Sequence, residues 1–123
     1  MARDERGVGV GPVAARAERV VTLRSERRGA DWFNLWAYLD EQGCLHIDGQ
    51  DLGPVTAPVS DDGEYEYFKT YEAADVPRVV ALLDGKPGED VLDLLERSWT
   101  GERSWELDRR LLESGIPAKV HVC

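Results

Sequence analysis

The sequence predicts an α+β fold: an antiparallel sheet of about four to five strands with three helices packed on one of its faces. Three observations carry this expectation. As far as Tyr71 the apolar residues tend to alternate, as in strands. From Asp75 to Ser114 they recur with the period of a helix, and after Gly115 and Pro117 a short alternating segment returns. Strands followed by helices favour α+β over an alternating parallel architecture. The chain has 123 residues, which suits one domain, and its 42% hydrophobic content is enough to fill a core.

Residues 1–17 are expected to form a flexible N-terminal arm, and residues 18–123 a single domain. Gly7, Gly9, Gly11 and Pro12 break any periodicity in the arm. The glycines spell GxGxG, but no strand precedes them and no clear helix follows, so a phosphate-cradling loop is not supported. The arm has arginines but lacks the apolar region of a secretory signal, and no apolar run reaches the length of a membrane span. A cytoplasmic location is expected. Two cysteines, Cys44 and Cys123, do not make a disulfide framework, and reduced thiols are expected.

Arg19 to Ser25 reads as the first strand, with Val21 and Leu23 on one face and Val20, Thr22 and Arg24 on the other. Glu26 to Gly29 reads as a polar turn. Trp32 to Asp40 is the strongest strand, with Phe33, Leu35, Ala37 and Leu39 facing one way and Trp32, Asn34, Trp36 and Tyr38 the other. Glu41-Gln42-Gly43 makes a short hairpin loop, and Cys44 to Asp48 returns. This loop length predicts a register of Leu39 opposite Leu45, Ala37 opposite Ile47, Tyr38 opposite His46 and Trp36 opposite Asp48. Both strands then agree on which face is aliphatic. Gly49 to Gly63 reads as a long loop, and Glu64 to Tyr71 as another strand whose core-facing side stays open.

The first helix is capped by Asp75, has Pro77 in its first turn, carries a stripe of Val76, Val79, Val80 and Leu83, and ends at Gly85. The second runs from Glu89 to Trp99. The third follows a Ser104 cap and is expected to bury Leu107, Leu111 and Leu112. Ala118 to Val122 is the last strand.

Net charge is −9, unevenly placed. Residues 1–30 hold seven Arg against four acids. Residues 31–123 hold eight Lys and Arg against twenty acids. Between Gly29 and Phe68 there are nine Asp and Glu and no Lys or Arg. Such a body repels nucleic acid and anionic lipid and attracts basic partners, while acidity also serves solubility.

The pieces LWAYLDEQGCLHIDGQDLG (Leu35–Gly53), EYEYFKT (Glu64–Thr70), the helix beginning ADVPRVVALL and the ending LLESGIP are together similar to a set of small bacterial proteins of unknown function. That resemblance spans most of residues 31–120 and carries no activity to transfer. Size, acidity and mixed architecture also resemble bacterial immunity proteins, which bind and block a toxin.

These readings point to a non-catalytic, acidic protein-binding module. Its expected partner-binding residues are Trp36, Tyr38, Asp48, Asp51, Asp61, Asp62, Glu64, Tyr65 and Tyr67: aromatic anchors inside an acidic rim, with Tyr65 and Tyr67 included if their strand points that way. A basic protein partner is expected, possible partners include a second copy of the chain, and no cofactor, direct nucleic-acid contact or membrane contact is expected. The alternative is a small metal-binding protein or metal-dependent enzyme. Cys44-x-His46 and His121-x-Cys123 each place two ligands on one side of a strand, and a Cys₂His₂ zinc site would form if the last strand lay beside the hairpin. No Ser-centred elbow, HExxH or Walker loop is present.

Overall fold

The computed structural model describes residues 17–57 and 63–122. The expected N-terminal arm, apart from Ala17, lies outside the described residues. Five strands, β1 (Val20–Arg28), β2 (Asp31–Leu39), β3 (Leu45–Leu52), β4 (Glu64–Tyr71) and β5 (Lys119–Val122), form one sheet in sequence order. Every neighbouring pair is antiparallel. Three helices, α1 (Val76–Leu82), α2 (Val91–Ser98) and α3 (Arg103–Glu113), connect β4 to β5. No helix among the described residues is long and apolar enough to cross a membrane.

The β2–β3 hairpin adopts the predicted register at all four pairs. Asp40 shapes its turn: Oδ1 accepts from Gln42 N at 2.9 Å and Cys44 N at 3.0 Å, and Gly43 takes φ +83°. β3 continues through Gly49, Gln50 and Asp51, which sequence assigned to a loop, because β4 supplies a partner for each residue as far as Leu52. The GQDLG and EYEY pieces thereby become cross-strand neighbours: Gly49 faces Tyr67, Gln50 faces Glu66, and Asp51 faces Tyr65.

β1 also outruns its expected length, reaching Arg28 before a two-residue turn at Gly29-Ala30. A register shift between Thr22 and Arg24 reverses the alternation. Arg24 therefore turns toward the helices, contrary to the expected face. There it is buried, donating from Nε to Ser104 Oγ, and from Nη2 to Ser104 O and Asp108 Oδ2, each at 2.8 Å.

The core lies between the sheet and the three helices. It joins Val21, Leu23, Leu35, Ala37, Leu45, Ile47 and Tyr71 of the sheet to Val79, Val80, Leu83, Val91, Leu92, Leu94, Leu95, Trp99, Leu107 and Leu111. The helix ends refine expectation. After α1 the left-handed residue is Asp84 (φ 66°), and Gly85 N donates back to Val80 O at 2.9 Å. Gly85 is needed for closeness instead: a Cβ there would sit 2.7 Å from Leu94 and Val80 side-chain carbons. Asp90 caps α2 by accepting from Asp93 N at 2.9 Å. α3 starts at Arg103, so Ser104 is a buried first-turn residue rather than the cap. Leu112 is 80% exposed, not buried, because the core-facing positions fall at Ser104, Leu107 and Leu111. β5 lies at the sheet edge with all four residues exposed.

Candidate functional site

Strand alternation gives the sheet a face toward the helices and a face away from them. The outward face carries Asn34, Trp36 and Tyr38 from β2, His46, Asp48 and Gln50 from β3, and Glu64, Glu66, Phe68 and Thr70 from β4. It is a polar and aromatic face, joined in its outer rows by Arg27 of β1 and by Lys119 and His121 of β5.

This face divides the expected binding residues. Trp36, Tyr38, Asp48 and Glu64 share it. Tyr65 and Tyr67 do not: they pair with Asp51 and Gly49 on the helix side, because β4 aligns Tyr71 with Leu45 and Lys69 with Ile47. Asp51 likewise faces the helices, one residue out of phase with Asp48. Asp61 and Asp62 lie outside the described residues. Nor are Trp36 and Tyr38 exposed anchors. They are 8% and 2% exposed, yet neither belongs to the helix-packed core.

The burial of Tyr38 has visible partners. Its ring stacks on that of His46 with centroids 4.7 Å apart and planes 3° from parallel. Burial and the neighbouring carboxylate of Asp48 push its hydroxyl pKa up. His46 is held at both ring nitrogens: Nε2–H donates to Asp40 Oδ2 at 2.8 Å, and Nδ1 lies 3.2 Å from Thr70 Oγ1. The His46 bond, with the turn amides of Cys44 and Gln42, holds the Asp40 carboxyl below its usual range. Thr70, His46 and Asp40 thus stand in the order nucleophile, base and orienting acid. Thr70 is itself paired on both sides in the sheet ladder, with His46 and with Lys119.

Beside this group lies a row that conventional pairing does not satisfy. Asn34, Asp48 and Gln50 are 1%, 7% and 3% exposed. Gln50 Nε2 donates to Glu64 Oε2 at 2.9 Å, and the Tyr38 hydroxyl neighbours the Asp48 carboxyl. Yet among the described residues Asn34 Nδ2, Asp48 Oδ1 and Gln50 Oε1 are enclosed without a hydrogen-bond partner. Burial pushes the Asp48 pKa up to about 6, against the lowering influence of Tyr38 and His46. Asn34 and Gln50 escaped the sequence reading. Extending the hairpin register from Trp36–Asp48 by two residues pairs them directly, so the signal was present.

The helix side holds a second polar cluster. Asp51 is raised to about 6 by burial, moderated by Arg24. The Tyr67 ring fills the space above Gly49. Arg24 also lies over the Trp105 ring at 3.6 Å, and Trp105 Nε1 donates to Glu26 Oε1 at 3.1 Å. Arg24 and Glu26 thereby tie β1 to α3, while Tyr67 packs β4 over β3.

The zinc arrangement required the last strand beside the hairpin. It lies instead beyond β4: His46 shares a row with Thr70 and Lys119, while His121 pairs with Phe68, in the row of Asp48. One whole strand separates the two histidines. Cys44 is a free, half-buried thiol, and Cys123 lies outside the described residues. Among the described residues no group of three or more His, Cys, Asp or Glu is placed to share a metal ion.

Compared with known proteins, the chain matches no family model, and no curated protein or solved structure is significantly similar to it.

Proposed function

We propose that this chain is a non-catalytic, acidic protein-binding module whose recognition face is the side of the sheet away from the helices. The observation that carries the reading is the Asn34–Asp48–Gln50 row. Enclosed polar atoms without partners each cost about 1–3 kcal/mol, and a buried carboxylate more. Nothing in the helix-packed core needs that row, because it points the other way. A surface that forgoes stability in this manner is supported best by a partner that completes its hydrogen bonds. No Lys or Arg occurs from residue 29 to residue 68, although Arg27 and Lys119 share the outer rows of this face, and the acidic balance of the stretch favours a basic partner.

The finer reading is an immunity-type inhibitor that blocks a basic toxin or nucleic-acid enzyme, with carboxylates standing where phosphates would bind. Its test is charge reversal on each side of the sheet. Glu64→Lys with Glu66→Lys should weaken binding of a cognate basic protein by about 100-fold, the order of magnitude expected for like charges placed against a complementary patch. Glu113→Lys on the exposed side of α3 should leave it unchanged. Equal effects from the two sides would refute the assignment of the face.

A further inference from the structure

The sheet has two edges, and the chain treats them differently. The β1 edge is guarded. A register shift interrupts it between Thr22 and Arg24, and Glu26, Arg27 and Arg28 charge its far end. Gly101 N, from the turn between α2 and α3, donates to Leu23 O at 2.8 Å. Arg19, just before the strand, is ion-paired to Asp93 and Glu96 of α2 at 2.7 and 2.6 Å. Bulges, charges and covering loops keep sheet edges from pairing with other chains. The β5 edge is built otherwise. Its register with β4 is unbroken, it contains no acid, and all four of its residues are exposed. Val120 and Val122 lie on the helix side of the sheet, opposite Lys69 and Tyr67, yet they are 60% and 49% exposed.

We propose that β5 is a dimerisation edge, at which a second copy of this chain adds its own β5 antiparallel and continues the sheet. A two-fold axis normal to the sheet keeps both helix layers on one side and sets residues of the same face opposite each other. With His121 at the axis, Val120 of each copy stands opposite Val122 of the other, so one register covers both exposed valines. Charge selects the occupant. Each chain carries −9, and two such chains repel least where acids are absent. No Asp or Glu follows Glu113. A basic partner is drawn to acids, and β5 offers it none. Only four residues pair at this edge, so the interface is small and the dimer depends on concentration.

The inference stands apart from the basic-partner reading, and salt separates the two. The full chain is followed by sedimentation equilibrium from micromolar concentrations to ~1 mM, the range of weak association. Its average mass should climb from 13.8 kDa toward twice that value. High salt should tighten the dimer by screening the repulsion between two acidic chains, whereas it loosens a basic partner. Val120→Lys with Val122→Lys should weaken dimerisation at least ~10-fold, the change that about 1.4 kcal/mol represents. Leu112→Lys, at an exposed apolar position of α3, should leave it unaltered. In a mixture of ¹³C-labelled and unlabelled chains, the Val120 methyls should give cross-peaks to Val122 of the other copy. Those cross-peaks decide the matter should the double-lysine variant fail to fold. A single-chain mass at every concentration, an equally tight dimer from the folded double-lysine variant, or a dimer without the cross-peaks would overturn the proposal.

Discussion

Asp48 is where the burial of a charge bears most directly on stability. Its folded pKa of about 6 lies above the ordinary value of 3.8. The folded state therefore holds the proton more tightly than the unfolded chain. The stabilisation this brings is fully present below the unfolded pKa and is lost as pH rises through about 6. Two pH units of difference correspond to on the order of 3 kcal/mol. Asp48→Asn should therefore be more stable than the parent above pH 7 by up to that amount, and nearly equal to it at pH 4. Urea titrations at the two pH values check this. A variant that loses stability at pH 8 would mean the carboxylate is paired in the folded chain. A second residue-scale outcome concerns Gly49, where a Cβ would fall 2.0 Å from Tyr67 Cζ. Gly49→Ala should cost roughly 2–3 kcal/mol by overpacking. Adding Tyr67→Ala should recover part of that cost, and a double-mutant cycle measures the coupling. Sequence placed GQDLG and EYEY in separate segments, a loop and the strand after it. The pairing of β3 with β4 brings them together and sets a residue without a side chain beneath a tyrosine ring.

At the scale of elements, the hairpin was legible because a three-residue loop and two aliphatic rows admit one register. Helix positions were legible from spacing and punctuation, and α3 shows the limit: Leu111 and Leu112 are both apolar, and only packing decides which one is buried. The failures share one cause. Strand ends and side-chain parity depend on the neighbouring strand. β3 and β1 run on because partners meet them, and the irregularity at Thr22–Arg24 flips a charged residue inward without any Gly or Pro to announce it. Arg24 then becomes the bolt between β1 and α3. Removing one partner of a buried ion pair costs about 3–5 kcal/mol. Arg24→Ala should fall at the lower end of that range, because Asp108 remains partly solvated. Arg24→Lys should recover little, since it cannot reach Ser104 and Asp108 with a fork. Chemical denaturation of the two variants decides the matter: full rescue by lysine would show that charge alone is needed.

For the whole molecule, fold class and charge asymmetry were readable from composition and order of elements, whereas the site was only half readable. Period-two patterning correctly put Trp36, Tyr38 and Asp48 together. It could not show that Tyr65, Tyr67 and Asp51 belong to the other face, because β4 has aromatic residues on both sides and its parity is fixed by Leu45–Tyr71 pairing. Nor could patterning foresee that the outward aromatics are buried beside unpartnered polar atoms. The result is a two-sided sheet: a largely aliphatic side covered by helices, where Asp51 Oδ1 is enclosed without a hydrogen-bond partner among the described residues, and a polar, aromatic side away from them with three more such atoms. Binding through that side should be strongly salt-dependent, since charge steering is screened over about 10 Å at 0.1 M ionic strength. The most direct test is affinity capture from the native cell lysate by the full chain and by the Glu64→Lys, Glu66→Lys variant, side by side, at low and high salt. Retained proteins are identified by mass spectrometry. One basic protein should be held by the parent at low salt, released at high salt and missing from the variant. Retention that is equal for both chains, or indifferent to salt, would contradict the outward face as a site for a basic partner.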